Sequence, residues 1–117
     1  MTPHQYATEW VAAWNARDLD TILTHYADDV VLRSPTAAAV VPDSGGVIVG
    51  IAALRAYWTT ALARVPDLHF ELDGVFASVD GVTILYRNER GQQVTETLRF
   101  GRDGRVDEVL IGHRVPT

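Results

Sequence analysis

From residue 67 the hydrophobic period of the chain changes to two and stays there, and no other feature limits its fold as strongly. Before that point apolar residues recur mostly at helical spacing, interrupted by two short strand-like stretches. After it they alternate, which reads as strands. Leu68, Phe70 and Leu72 alternate with His69, Glu71 and Asp73, until Gly74 interrupts and predicts a bulge. Val75, Ala77 and Val79 lead to Asp80-Gly81, a two-residue hairpin signal. Val82, Ile84 and Tyr86 form the next strand, and Asn88-Glu89-Arg90-Gly91 turns it. A strand over 92–100, a turn over 101–104 and a strand over 105–113 complete the run.

The first half has helix punctuation. Thr2-Pro3-His4-Gln5 predicts a capping box with proline at the first helical position. Tyr6, Trp10, Ala13 and Trp14 make one stripe, ending near Ala16. Asp18 caps a second helix with Leu19, Ile22, Leu23 and Tyr26 inward, stopped by Ala27-Asp28-Asp29. Residues 30–34 read as a strand closed by Pro35, and 36–46 as an irregular stretch at the rim of a cavity. Residues 47–49 suit a short edge strand. Gly50 leads a third helix from Ile51 to Arg64, which Pro66 bars from continuing. The expected class is α+β: one domain over 1–117, with a curved, mainly antiparallel sheet wrapped around three helices. Three helices cover only one sheet face. The other, carrying Thr83, Leu85, Thr95 and Thr97, is expected to meet a second copy in a homodimer.

Composition removes several classes of function. With 47% hydrophobic and 21% charged residues, the 117-residue chain is an ordinary globular one. It has no cysteine, hence no thiol nucleophile or thiolate metal site. All ten basic residues are arginine, so there is no lysine Schiff base. They are scattered in a chain of net charge −5, which argues against nucleic acid as a partner. No apolar run is long enough to span a membrane, and the first fifteen residues lack a signal-peptide pattern, so the expected compartment is the cytoplasm. The four histidines show no metal-ligand spacing, and no glycine-rich nucleotide loop occurs; no metal or cofactor is expected.

A carboxylate in an apolar register is the chemical signal. In the strand 92–100, Val94, Glu96, Leu98 and Phe100 share a face, and in the last strand Val109, Ile111 and His113 share one. An acid placed so must be paired or must raise its pKa, which makes it a usable acid or base near neutral pH. The structural alternatives are an ion pair with Arg99, Arg87 or Arg33 for Glu96, and an exposed strand end for His113. Trp10, Trp14, Tyr26, Tyr57 and Trp58 supply rings for the core or for a pocket wall. Ser34 is a rim residue or a turn hydrogen bonder.

The segments Trp10–Asp20, Tyr26–Val30, Ser34-Pro35, Gly50 and Ala53–Trp58 resemble the nuclear transport factor 2-like superfamily, closest to its SnoaL-like and ketosteroid-isomerase-like branch. The resemblance implies a cone-shaped, cystatin-like roll with a deep apolar pocket, many members forming homodimers through the sheet. Together with the strand register and the helix stripes, it leads to expected catalytic roles for Glu96 and His113 and an expected ligand wall of Trp10, Trp14, Tyr26, Ser34, Tyr57, Trp58, Leu98 and Val109. Ser34 stands where ketosteroid isomerases carry an aspartate base, while Trp10 and Glu96 match their oxyanion-hole positions. The expected activity is an isomerase, cyclase or lyase acting on an apolar carbonyl compound, with Glu96 as protonated donor or base. The competing readings are a binding module for an apolar small molecule and a dimeric structural domain with a filled cavity.

Overall fold

The computed structural model describes residues 1–117. Helix α1 (Pro3–Asn15) begins in the expected capping box: Gln5 N–H donates to Thr2 Oγ1 at 3.1 Å, and Thr2 N–H to Gln5 Oε1 at 2.8 Å. Helix α2 (Leu19–Leu23) is capped by Asp18, whose carboxylate accepts from Thr21 N–H. It is shorter than its sequence pattern implies, because Tyr26 already opens strand β1 (Tyr26–Arg33). The pattern fails there because the buried positions Tyr26, Ala27, Val30 and Leu32 match helical spacing at first and strand alternation only later.

Residues 36–46 are more ordered than expected. Ser34 caps a fourth helix, α3 (Pro35–Val40), its Oγ accepting from Thr36 N–H at 3.1 Å. A 3-10 turn (Pro42–Ser44) follows. Four helices, not three, therefore pack with the sheet. The run of small alanines after Ser-Pro is the helix signal that the surrounding breakers obscured. Strand β2 (Val47–Val49) and helix α4 (Ile51–Arg64) fall where expected.

Strands β3 (Glu71–Ala77), β4 (Gly81–Arg87), β5 (Gln93–Phe100) and β6 (Val106–His113) complete one six-stranded sheet ordered β2-β1-β6-β5-β4-β3. Only the β1–β6 pair is parallel. The register shifts between Leu72 and Gly74, at the predicted bulge. One face of the sheet packs on the helices; Ile84, Leu98, Val106 and Val109 are fully buried there. Arg17 ties the layers together. Its guanidinium donates to the backbone carbonyls of Leu62, Val65 and Pro66, satisfying the C-terminal end of α4.

The β3–β4 turn differs in detail from the hairpin signal. Ser78 N–H donates to Gly81 C=O at 2.9 Å, so Val79 and Asp80 form the turn and Gly81 belongs to β4. Gly81 is required for another reason: a Cβ there would lie 2.0 Å from the Leu98 carbonyl oxygen. Gly81→Ala should therefore destabilise the fold by about 2–3 kcal/mol, since backbone must move. Gly91→Ala, at φ +73° with nothing nearby, should cost only about 1 kcal/mol. Urea unfolding of both variants checks the order.

Candidate functional site

Strand register places the acid. Glu96 is paired across β4 with Ile84 and across β6 with Ile111, so its nearest cross-strand neighbours on both sides are aliphatic. It is 5% exposed. None of the arginines that could neutralise it does so. Arg99 bonds Asp107 at 3.0 Å, Arg87 bonds Asp73 at 3.1 Å, and Arg33 is exposed, in register with Leu110. Glu96 Oε1 instead accepts from the Tyr86 hydroxyl at 2.9 Å. Oε2 is buried with no protein partner. Burial pushes the Glu96 carboxyl up to about 7, against the smaller opposing pull of the Tyr86 hydrogen bond. The surrounding phenols stay protonated donors. Burial holds Tyr86 and Tyr26 well above the usual phenol range and raises Tyr57 to about 12, and the nearby Glu96 charge adds to each.

Glu96 lies on the wall of a cavity of about 430 Å³. Trp14, Tyr57, Trp58, Leu62, Phe70 and Ile111 make much of its apolar lining. The more exposed lining residues come from two places: the β4–β5 turn with Asn88, Glu89, Arg90 and Gln92, and Thr36 with His113, the latter paired with Val94 at the same end of β5. A cavity of this size suits a small organic molecule.

The structure brings together Trp14, Ser34, Tyr57, Trp58, Glu96 and His113 on this one wall. Glu96 and His113 are diagonal neighbours across β5 and β6, about 7–8 Å apart by strand geometry, and no hydrogen bond joins them. His113 Nε2 lies 3.5 Å from Thr36 Oγ1 instead. Ser34 has its hydroxyl engaged as the α3 cap.

Trp10, Tyr26, Leu98 and Val109, expected on the wall, are core residues outside the lining. Trp10 supports the wall from behind. Its ring stacks on Phe70 at 6.0 Å and lies 5.6 Å from Tyr86, and its Nε1–H donates to Tyr26 Oη at 3.1 Å. That donor is consumed, so Trp10 does not supply the oxyanion contact that its position suggested. The buried indole N–H without a protein acceptor belongs to Trp14. Leu98 and Val109 face each other in register one pair beyond Thr97 and Leu110, where side chains are sealed from solvent.

Sequence reasoning missed Tyr86, Phe70 and the turn residues as parts of the site. Tyr86 was legible by hairpin arithmetic. The 88–91 turn sets Tyr86 opposite Val94, hence diagonal to Glu96 on the inward face. Phe70 precedes β3 and is held by Asn15, whose side-chain amide donates to Phe70 C=O at 2.9 Å and accepts from its N–H at 2.7 Å. No local pattern reveals that clamp across 55 residues.

The comparisons with known proteins agree with this architecture. Residues 7–109 match the model of the SnoaL-like domain. The chain belongs to the SnoaL-like family, within the nuclear transport factor 2-like superfamily. A SnoaL-like protein of unknown function from Burkholderia thailandensis is 41% identical, with 97% of this chain and 94% of that one covered and a TM-score of 0.90. A proposed isomerase of the SnoaL-like family from Agrobacterium tumefaciens is 19% identical, with 98% and 100% covered and a TM-score of 0.75. A cystatin-fold protein from Novosphingobium aromaticivorans is 22% identical, with 96% and 98% covered and a TM-score of 0.76. The last two show the shared fold alone. No curated protein matches the sequence. No helix is long and apolar enough to cross a membrane.

The raised pKa has a measurable consequence for stability. Folding favours the neutral carboxyl, so the contribution of Glu96 is fully present below its ordinary value of 4.5 and is lost as pH rises through about 7. Glu96→Gln keeps an acceptor for Tyr86 without the charge. Its stability relative to wild type should increase by about 3 kcal/mol between pH 4 and pH 8. Denaturant unfolding at both pH values measures this; a constant difference contradicts the burial account.

Proposed function

We propose that the protein is a proton-transfer enzyme acting on an apolar carbonyl compound, of the isomerase, cyclase or lyase type, with Glu96 as the general base. The carrying observation is the free Oε2 of a buried carboxyl, raised to about 7, on a ring-lined cavity. Tyr86 holds Oε1 and thereby leaves Oε2 to act. In the reaction, Oε2 takes a proton from the carbon beside the carbonyl. The C–H bond breaks, an O–H bond forms, and the electron pair moves to the carbonyl oxygen as an enolate. The Trp14 indole N–H or the Tyr57 phenol donates to that oxygen, in a site where a hydrogen bond is worth more than in water. Glu96 then returns the proton to another carbon, or the enolate carbon bonds to a second carbonyl carbon of the same molecule, whose C=O π bond opens and whose oxygen takes the proton from Glu96. His113 stands at the rim as a second polar contact.

Exchange of the methyl protons of 2-acetylnaphthalene in deuterated buffer, followed by NMR, tests the chemistry. Wild type should catalyse exchange, with a rate that rises with pH and levels off above about 7 as the base ionises. Glu96→Gln should lose at least about a hundredfold. Saturable binding of the ketone with no catalysed exchange would make the protein a binding module instead. The open cavity argues against the filled structural domain.

The homodimer is a further part of this reading. Phe76, Thr83, Thr97 and Leu110 lie in one cross-strand row on the sheet face away from the helices, with Phe76 61% and Leu110 59% exposed. Two exposed apolar side chains flanking a pair of mutually bonded threonines on an open sheet suit an isologous contact. Sedimentation should give a dimer for wild type and a 12.9 kDa monomer for Leu110→Asp; a monomeric wild type contradicts it.

A further inference from the structure

We infer that the cavity takes an apolar carbonyl compound that also carries an acid group, and that Arg90 holds the acid at the mouth. This rests on the reading of the cavity as a carbonyl site and names the substrate class.

The lining is divided by chemistry. The walls around Glu96 are rings and aliphatic chains, while four polar residues of one turn, Asn88, Glu89, Arg90 and Gln92, lie together at the solvent end. Asn88 and Gln92 bond within the turn, so a ligand that is apolar throughout would leave the side chains of Glu89 and Arg90 without a role in binding. Arg90 is the one arginine on this lining. Elsewhere in the chain, Arg55, Arg87, Arg99 and Arg105 each face a carboxylate within 3.1 Å. Arg90 faces none within 4.0 Å, and of the six arginines of which this is true it alone lines the cavity. Its guanidinium remains available for a planar, bidentate acid.

The turn that presents Arg90 is built rather than slack. Asn88 Oδ1 accepts from the backbone N–H groups of Arg90 and Gln92, both at 3.0 Å, and its Nδ2 donates to Gln92 Oε1 at 3.2 Å. Gly91 adopts φ +73°, which closes the turn without strain. Arg90 therefore starts from a fixed backbone, which reduces the entropy lost when a ligand binds.

Strand geometry sets the spacing. Glu96 lies three residues into β5 from Gln93, about 10 Å along the strand, and Arg90 lies just beyond that end. With the arginine side chain reaching back toward the cavity, a ligand that meets both groups holds its acid about 10 Å from its carbonyl. A short fused-ring body with the two groups at opposite ends meets that demand. Glu89, the acid next to Arg90 on the same turn, opposes the effect and selects against a second negative charge nearby.

Isothermal titration calorimetry at low ionic strength and pH 8 tests this with 6-acetyl-2-naphthoic acid and its methyl ester. Wild type should bind the acid about three- to fivefold more tightly than the ester, a preference that added salt removes. Arg90→Gln should bring the acid-to-ester affinity ratio to about one, chiefly through weaker acid binding. Glu89→Gln should move acid binding in the opposite direction, tighter than wild type. Equal affinities in wild type, or a preference that survives Arg90→Gln, overturn the assignment. If the ester binds and Glu96-dependent exchange of its acetyl protons persists without any Arg90 effect, only the acid subsite fails. If neither compound binds, the subsite and the carbonyl reading fail together.

Discussion

A carboxylate shut away from water and from every arginine is the constraint on which the chemistry of this protein depends. Removing an ionised carboxyl from water is strongly unfavourable unless a cation or several donors replace the solvent. Glu96 has one donor, the Tyr86 hydroxyl, and one oxygen with no partner. The fold tolerates this by letting the group hold its proton up to about pH 7. The same compromise produces a group that can both take and return a proton under neutral conditions.

The rest of the helical layer keeps that environment dry and fixed. Trp10 packs behind Phe70 and Tyr86, whose rings lie 4.3 Å apart, so the hydroxyl that holds Glu96 rests on an aromatic stack. Asn15 locks the Phe70 backbone, and Arg17 closes the end of α4 over the same region. Trp14 and Trp58 meet edge to face at 4.9 Å on the cavity wall. Aromatic pairs in such arrangements have defined geometry and resist repacking. The position of one carboxyl oxygen thus depends on contacts distributed over α1, α4 and the sheet.

Much of this was legible in the residues and some was not. Alternation fixed the inward face of β5, so Glu96 could be found without coordinates. The bulge at Gly74 and the cap at Thr2 were equally local. The boundary between α2 and β1 was not, because Tyr26 satisfies a helix and a strand alike until tertiary packing decides. The helix α3 was hidden among breakers. Which indole lines the cavity could not be read either. Trp10 and Trp14 share one helix face, and only the Tyr26 hydroxyl, taking the N–H of Trp10, separates their roles. The turn holding Arg90 announced itself as a turn, but its place on the cavity lining is set by tertiary packing, which no local pattern records.

The ionisation of Glu96 itself is the most direct point of attack. Carbon-13 NMR of the protein labelled at the glutamate side-chain carboxyl carbons, with Glu96→Gln used to assign the resonance, follows it without any ligand or reaction. The account predicts that the Glu96 carboxyl carbon titrates near pH 7. Titration of that carbon near 4.5, as for an ordinary solvated carboxylate, would contradict it.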